Sequence, residues 1–433
     1  MSAKNYLIKT YGCQMNENDS EIMAGILESK GYRQTDDIRS ADIIITNTCS
    51  VRDGAERKAK GFIADLVHLK KKNKDLLIGI TGCMAERMGE EILKKYKFVD
   101  FVLGPNKEGE LEDVVEGRSC LPAGTALPAR TTLLCTGDSP GFKDSALAKR
   151  KDSVNAWVTI MEGCDNFCSY CIVPYVRGRE KSRPVVEVLK EIDSLDKDIF
   201  KEVTLLGQNV NSYEFGLANL LKEVSKIDGI RRIKFMTSHP RDMSDDIIRA
   251  VAENDKVCEF FHLPLQSGDD DVLKGMNRGY DRKYYAALVK KIRAMVPVSA
   301  ITSDVIAGFP GETEKNFENT LDLIRELELD SVNTLAFDPR PGTAAEKLSG
   351  RLPREVVSDR LQRLMRVVEE TALKKNSALT GSVQELLVES PVTGRTRTNK
   401  IVRFGPEKAK QGDVVRARIT AAKSWVLQGE IIG

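Results

Sequence analysis

The sequence predicts an α/β protein in three successive parts: an N-terminal parallel α/β sheet domain, a central partial (β/α)6 barrel and a small antiparallel β-barrel at the C-terminus. Three observations carry this. Short apolar runs suited to buried parallel strands alternate with helical stretches over most of the chain. Two breaks in composition interrupt the alternation: one near 117–150, rich in Gly, Pro, Ser and Thr, and one after a long charged amphipathic helix over about 353–376. Beyond the second break the pattern is strand and turn only.

At 433 residues the chain is too long for one ordinary core. The divisions expected are 1–119, a linker over 120–149, then 150–375 and 376–433. No apolar run approaches the ~20 residues a membrane span needs, and the start, "MSAKNYLIKTYGC", has neither an apolar signal core nor an Arg/Ser-rich transit pattern. A cytoplasmic protein without a membrane partner is expected. In that reducing compartment nine cysteines read as metal or cluster ligands rather than as a disulfide framework.

In the first part, "NYLIKTYGC", "ADIIITNTC" and "LLIGITGC" are strand runs that each end in cysteine, and helical stretches such as "SEIMAGILESKG" follow them. Cys13, Cys49 and Cys83 are 36 and 34 residues apart, about one strand–helix unit. Right-handed crossovers therefore bring all three to one edge of one sheet, the carboxyl edge where ligands gather in open α/β folds. A single cysteine there is more often a structural residue. Three in one repeated context point to ligation.

In the central part the strand–helix unit recurs about six times, from "VNAWVTIMEG" through "EVTLLGQ", "RIKFMTS", "CEFFHLPLQ" and "AITSDVIAGF" to "SVNTLAFD". Helices between them include "RPVVEVLKEIDSL", with Pro184 suited to a first helical position, and "NFENTLDLIRELEL". Six units are fewer than the eight of a closed barrel, so an open side able to admit a large substrate is expected. Cys164, Cys168 and Cys171 follow the first of these strands, at the end where barrel enzymes place their chemistry. A zinc site would want four ligands in two pairs, and the nearest further cysteine, Cys135, has no paired spacing. A cubane cluster takes one thiolate per iron, so three cysteines leave a fourth iron open to a small molecule.

The loop "CDNFCSYC" resembles the C-x3-C-x2-C signature of the radical S-adenosylmethionine enzymes. In that family the open iron is chelated by the amino and carboxylate groups of S-adenosyl-L-methionine, which is cleaved to a 5′-deoxyadenosyl radical. The N-terminal "YGCQMNENDSE", "NTCSVRDGAE" and "GCMAER" are similar to the three motifs of its methylthiotransferase branch. Within the branch, "YGCQMN", "GCDNFCSYCIVPYVRGRE", "LLGQNVNSY", "MTSHP", "LPLQSG", "MNRGY", "DVIAGFPGET" and "RPGT" most resemble the bacterial enzymes that methylthiolate N6-isopentenyladenosine in tRNA beside the anticodon. Coverage is nearly end to end. One departure is Asp338 in "FDPRPGT", where relatives often carry a small residue.

The resemblance implies two [4Fe-4S] clusters, the second held by Cys13, Cys49 and Cys83, its vacant iron carrying extra sulfur. One S-adenosylmethionine would methylate that sulfur, and a second would supply the radical that takes hydrogen from C2 of the adenine. That C–H bond is neither acidic nor readily displaced, so general acid–base groups would not serve. Implied partners are the tRNA anticodon stem-loop and a low-potential electron donor such as flavodoxin or ferredoxin, with the enzyme a monomer. Methylthiolation of N6-threonylcarbamoyladenosine or of a ribosomal protein is the alternative within the branch. An iron–sulfur electron carrier or a pure RNA-binding module would each explain only part of the chain.

For S-adenosylmethionine the resemblance points to Tyr170, the aromatic position before the third cysteine, as an adenine contact; a packing role fits that residue equally. Gln208, Asn209, Ser238, Gln266 and Asp304 are candidates because they sit at strand ends, where polar residues also cap helices and form turns. Arg278 in "MNRGY" is a candidate to pair the cofactor carboxylate. Of the three histidines, His68 lies on a basic helix, His262 belongs to no catalytic motif, and His239 in "SHP" serves either the cofactor or a turn. "GFPGE" is a weak match to a phosphate loop. Cys120, Cys135 and Cys258 lack a ligand context.

The tail, 376–433, resembles the TRAM domain, an RNA-binding module, in its "SVQELLVES", "KIVRFG", "DVVRARITAAKS" and "VLQGEII" runs. It carries nine Lys and Arg against five Asp and Glu in a chain of net charge +2, so the basic end is the one expected to meet phosphate. Arg395, Arg397, Lys400 and Arg403 concentrate that charge. Phe404 and Trp425 are either core residues or stacking platforms.

Overall fold

A computed structural model describes all residues except 1–3, 52, 118–132, 138–141, 143–147, 151–153, 407–408 and 433. The chain folds as two compact units. One comprises Met1–Lys151, Glu162–Asp165 and Ile172–Arg183; the other comprises Asp152–Met161, Asn166–Cys171 and Pro184–Gly433.

In the first unit the described residues form a six-stranded parallel sheet of β1 (Asn5–Tyr11), β2 (Arg33–Gln34), β3 (Ile43–Thr48), β4 (Leu77–Gly82), β5 (Phe101–Leu103) and β6 (Leu133–Cys135), in the order β2-β1-β3-β4-β5-β6. Helices α1 (Gln14–Ser29), α2 (Asp53–Lys72), α3 (Cys83–Lys95) and α4 (Leu111–Val115) cover it. Both faces are dry. Ile43 and Ile45 pack with Ile22, Leu27 and Leu111, while Ile44 packs with Ile63, Leu66 and Ile92. Complete burial of one such isoleucine contributes about 1.5–3 kcal/mol, which is why an unalternating "IIIT" run suits a central parallel strand.

The sixth strand is a departure from the sequence reading. Leu133–Cys135 falls in the stretch whose composition suggests a linker, yet it pairs in parallel with β5. Three residues are too few to show a period, so only the tertiary partner reveals them. Cys135 is thereby a sheet residue, whereas Cys120 lies outside the described residues.

In the second unit six parallel strands appear where six runs predict them: β7 (Asn155–Thr159), β10 (Glu202–Leu206), β11 (Arg232–Phe235), β12 (Phe260–His262), β13 (Ala300–Ala307) and β14 (Ser331–Ala336). The two-residue strands β8 (Met161–Glu162) and β9 (Lys181–Ser182) bracket the three-cysteine loop in sequence. The six form two triplets, β7-β10-β11 and β12-β13-β14, joined by a parallel bridge from Ile233 to Val257. Strands β7 and β14 are the outer ones, which makes the barrel incomplete.

Short α5 (Val173–Val176) precedes the amphipathic helices α6 (Val185–Asp193), α7 (Leu217–Ser225), α8 (Asp245–Glu253), α9 (Asp270–Gly275), α10 (Arg282–Met295) and α11 (Glu314–Leu327). Pro184 is the N-cap of α6, one position before the predicted one. The loop "GFPGE" is structural: Glu312 accepts from Gly308 N–H at 2.8 Å and pairs with Arg360 of α12 (Arg354–Ser377) at 2.7 Å.

After α12 the chain closes a five-stranded barrel of β15 (Val383–Ser390), β16 (Thr393–Thr396), β17 (Ile401–Arg403), β18 (Val414–Ala422) and β19 (Leu427–Ile431). It is fastened to the starting ends of the parallel strands. Arg232, fully buried at the head of β11, donates to Glu385 at 2.8 Å and to Arg395 O at 2.7 Å. Arg397 forks onto Glu259 at 2.8 and 2.9 Å, and Lys400 bonds Asp330 and Asn376, both at 2.9 Å.

These contacts engage three of the four tail charges singled out for phosphate within the protein itself. Arg395 is spent on Glu389 and Asn399 O, and Arg397 and Lys400 are ties within the protein. Cys258, buried among Lys234, Glu202, Arg232 and Arg397, has its thiol pushed up to about 12, chiefly by burial.

Candidate functional site

Two cysteine triads lie at the carboxyl ends of parallel strands. In the first unit β1, β3 and β4 are adjacent, with Tyr11 opposite Thr48 and Thr48 opposite Gly82. Cys13, Cys49 and Cys83 follow within two residues of those ends. Cys13 is the N-cap of α1 and Cys83 the first residue of α3, positions where helix dipoles favour a thiolate. Burial outweighs this at Cys83, whose thiol is pushed up to about 12, with the neighbouring Cys49 and Cys13 adding to the rise. A bound metal, which replaces the proton, would hold this sulfur as a thiolate.

The backbone around these thiols is locked. Gly82 has φ +87°, and a Cβ on it would stand 2.4 Å from Asn47 Oδ1 and 2.5 Å from Thr48 O. Asn47 is itself pinned, donating to Asn16 O at 2.8 Å and Ser20 Oγ at 3.0 Å, while its Oδ1 accepts from Asn16 Nδ2 at 3.1 Å. Asn16 in turn accepts from Cys13 N–H at 3.2 Å. Among the described residues no His, Cys, Asp and Glu side chains gather tightly enough to chelate a single metal ion. A cubane attaches each thiolate to a separate iron, and three spaced thiols at one sheet edge fit that group.

The second triad lies on the loop 164–171. Gly163, with φ +76°, lets the loop pass Arg179 O, which a Cβ would approach to 2.0 Å. Ser169 bonds Met276 O at 3.0 Å and Gly275 O at 2.8 Å, and Asn277 holds Phe167 O at 3.1 Å. Arg278 is buried behind the loop. It donates to Cys168 Sγ at 3.2 Å, Tyr170 Oη at 3.4 Å, Tyr280 Oη at 3.0 Å and Pro264 O at 2.9 Å. Arg278 thus contacts Cys168, the second cysteine of the loop, as well as carrying the charge for which its motif singles it out. Tyr170 packs beside the apolar group of Val272, Met276, Ile306 and Phe309, and burial raises its hydroxyl pKa.

Unspent polar atoms mark the strand ends nearby. Ser238 Oγ, His239 Nε2 and Gln266 Oε1 are buried without a hydrogen-bond partner among the described residues. Native proteins rarely leave such atoms unpaired, so these fit a polar ligand such as S-adenosylmethionine. Four non-glycine residues adopt left-handed backbone here: Phe167, Thr237, Gln266 and Asn277. Strain of this kind, about 1–3 kcal/mol per residue, collects at ligand sites.

Asn209 has both ends of its amide engaged within the protein. Its amide accepts from His239 N–H at 3.0 Å and donates to Asp242 at 2.7 Å, tying two loops together. Gln208 is half-buried at the end of β10. His239 serves the turn, one of the two roles weighed for it. Its Nδ1 accepts from Arg241 N–H at 3.3 Å, which leaves Nε2 as the protonated, inward donor. Burial and the charges of Arg278 and Arg241 push its pKa down to about 2, so the ring stays neutral. His68 is exposed on α2, as expected.

The sequence reading missed two groups. His262 bonds Thr302 Oγ1 at 3.0 Å and stands 3.4 Å from Asp304, which accepts from Asn333 at 2.8 Å, a polar run across β12, β13 and β14. Asp304 is a candidate from its strand end, but only strand register aligns His262, Thr302 and Asn333 with it. Arg177, fully buried, donates to Asp19 at 2.8 Å beside the first triad. Asp338, the departure within "FDPRPGT", pairs with Arg340 at 3.0 Å.

On the C-terminal barrel Arg403, Arg416, Arg418 and Lys423 are exposed, as is Trp425, whereas Phe404 is core. This places the outward charge on β17, on β18 and just after it, with β19 between the two strands. Among the described residues no helix is long and apolar enough to cross a membrane.

Residues 5–104 match the family described as uncharacterized protein family UPF0004, and residues 158–324 match the radical SAM superfamily. The tRNA-2-methylthio-N(6)-dimethylallyladenosine synthase of Carboxydothermus hydrogenoformans is 44% identical over the whole of both chains. Its namesake from Clostridium perfringens is 44% identical over all of this chain and 98% of its own. Among solved structures, the radical S-adenosylmethionine methyltransferase TsrM from Kitasatospora setae shares the fold with a TM-score of 0.57, at 14% identity over 80% of this chain and 74% of its own. The cobalamin-dependent radical enzyme OxsB does so at 0.53, with 12% identity over 85% and 56%.

Proposed function

The chain belongs to the tRNA-2-methylthio-N(6)-dimethylallyladenosine synthases within the radical S-adenosylmethionine superfamily, and we infer from this that it adds a methylthio group to C2 of N6-isopentenyladenosine at position 37 of tRNA. The observation that carries the reading is the pair of cysteine triads, each at the carboxyl end of parallel strands, in a chain that matches those relatives from end to end. When bound, S-adenosylmethionine and the iron–sulfur groups supply the radical and the sulfur that an unactivated C–H bond demands. A single [4Fe-4S] cluster and S-adenosylmethionine follow from the superfamily. A second cluster on Cys13, Cys49 and Cys83 is part of this proposal.

The protein's own residues bind, orient and exclude water. Arg278 steadies Cys168, and the unspent atoms of Ser238, Gln266 and His239 are donors and acceptors for the cofactor's polar groups. Gln208, Tyr170 and Asp304 stand at the same strand ends or loop and complete the proposed contact set. The neutral His239 contributes a donor without adding charge.

The exposed basic strands of the C-terminal barrel are the proposed contact for the tRNA backbone near the anticodon stem-loop. A low-potential flavodoxin or ferredoxin as electron donor, a cytoplasmic location and a monomeric state complete the proposal.

Nucleoside mass spectrometry of tRNA from a deletion strain tests the activity. Loss of the methylthio-isopentenyl form with accumulation of its unthiolated precursor is expected, with rescue by the wild-type gene and not by Cys164→Ala or Cys83→Ala. An unchanged nucleoside profile would reject it.

A further inference from the structure

Arg177 closes the three-cysteine segment of the sequence but belongs physically to the N-terminal unit. Residues Ile172–Arg183 fold with that unit, and Ile172 and Val176 pack against Cys83. The guanidinium is fully buried, with 2% of its side chain exposed. Its Nη2 donates to Asp19 at 2.8 Å. Its Nη1 stands 3.9 Å from Glu162 and has no acceptor among the described residues.

A buried arginine with an unspent donor is costly, and native proteins seldom tolerate it. The guanidinium already hydrogen-bonds the Cys83 thiol, so the unspent Nη1 is left for a further acceptor beside that sulfur. The neighbouring group identifies its chemistry: the charge acts on the Cys83 thiol and, with less effect, on Cys13. An anionic sulfur of an iron–sulfur group held there would satisfy the donor.

We propose that Arg177 is a positioning residue for the auxiliary cluster: its Nη1–H donates to a sulfur of the group on Cys13, Cys49 and Cys83, and its charge raises that group's reduction potential. The inference rests on the reading that these three cysteines hold a cluster. Potentials of such clusters follow net charge and hydrogen bonds to sulfur, and partners outside the ligand shell set both. Asp19 opposes Arg177 electrostatically, so removing either partner should shift the potential in opposite directions. A purely structural ion pair would produce no such opposition.

The test uses full-length protein carrying Cys164→Ala, Cys168→Ala and Cys171→Ala, reconstituted anaerobically, so that only the auxiliary group contributes signal. Iron in this background establishes the cluster itself; its absence defeats the underlying reading before Arg177 is tested. With iron present, EPR-monitored redox titration of Arg177→Gln should show the one-electron reduction equilibrium about tenfold less favourable, ~59 mV lower. Asp19→Asn should move it upward. Equal midpoints in all three proteins, or shifts of one sign in both variants, would overturn the proposal.

Should Arg177→Gln lose its iron, pulse EPR on protein with 15N-labelled arginine and Arg177 intact decides the matter. A nitrogen coupling to the reduced cluster that vanishes in Arg177→Lys supports the hydrogen bond, and no coupling in the Arg177 protein refutes it.

Discussion

Arg278 Nη1 lies 3.2 Å from Cys168 Sγ, inside a guanidinium whose other nitrogens hold Pro264 O and Tyr280. One buried cation therefore couples Cys168, a proposed cluster ligand, to the end of β12. Arg278→Met should strand those acceptors and destabilise the protein by about 3 kcal/mol. It should also release the iron bound through Cys164, Cys168 and Cys171, leaving about half of the total. Iron analysis with urea unfolding reads both; wild-type iron content would show that the contact is incidental.

Glycines with the same backbone angle should differ sharply in their tolerance. Gly31 has φ +83° and open space, with nothing within 4 Å of where a Cβ would stand, whereas Gly82 has φ +87° against Thr48 O and Asn47 Oδ1. Gly31→Ala should cost about 1 kcal/mol, the conformational term alone. Gly82→Ala should cost about 3 kcal/mol or more and dislodge Cys83. Urea midpoints and iron content of the two variants, compared side by side, check this.

His239 should make the fold acid-sensitive. Its folded pKa is about 2 against an ordinary 6.5, so the folded state binds fewer protons than the unfolded state below about pH 6.5. Its contribution is complete above that pH and is lost on acidification, at about 1.4 kcal/mol per pH unit. Between pH 6.5 and 5, wild type should lose about 2 kcal/mol more than His239→Gln. Urea unfolding at both pH values measures the difference, and parallel losses would contradict the burial argument.

Basic residues of the C-terminal barrel should divide into two classes. Arg397→Ala breaks the fork to Glu259 and should cost about 2–3 kcal/mol. Arg403→Ala and Arg416→Ala, on exposed positions, should change stability by less than about 0.5 kcal/mol. Each should instead weaken tRNA binding and reduce the salt dependence of log K by about 1. Filter binding across salt concentrations, paired with thermal unfolding, separates the classes; an Arg416→Ala protein with unaltered tRNA affinity would move the RNA face elsewhere.

Local pattern alone determined the strand–helix alternation, the six central units, the C-terminal barrel and the two cysteine triads. Each is written in residues a few positions apart: apolar runs such as "ADIIITNTC", turn residues, and the spacing of Cys164, Cys168 and Cys171. Those signals survive without knowledge of partners because strand and helix periods, and the reach of one loop, are local quantities.

Tertiary structure decided what depends on register and on burial. It made Leu133–Cys135 a strand, because three residues acquire that identity only by pairing with β5. It made Arg397 and Lys400 ties within the protein, since a charge is spent on whatever carboxylate the fold brings within 3 Å. It brought Arg177 to Asp19 across 158 residues and set His262 beside Asp304. Side-chain type names the chemistry a residue can perform, but the partner that uses it is chosen by packing, which no short stretch of sequence records.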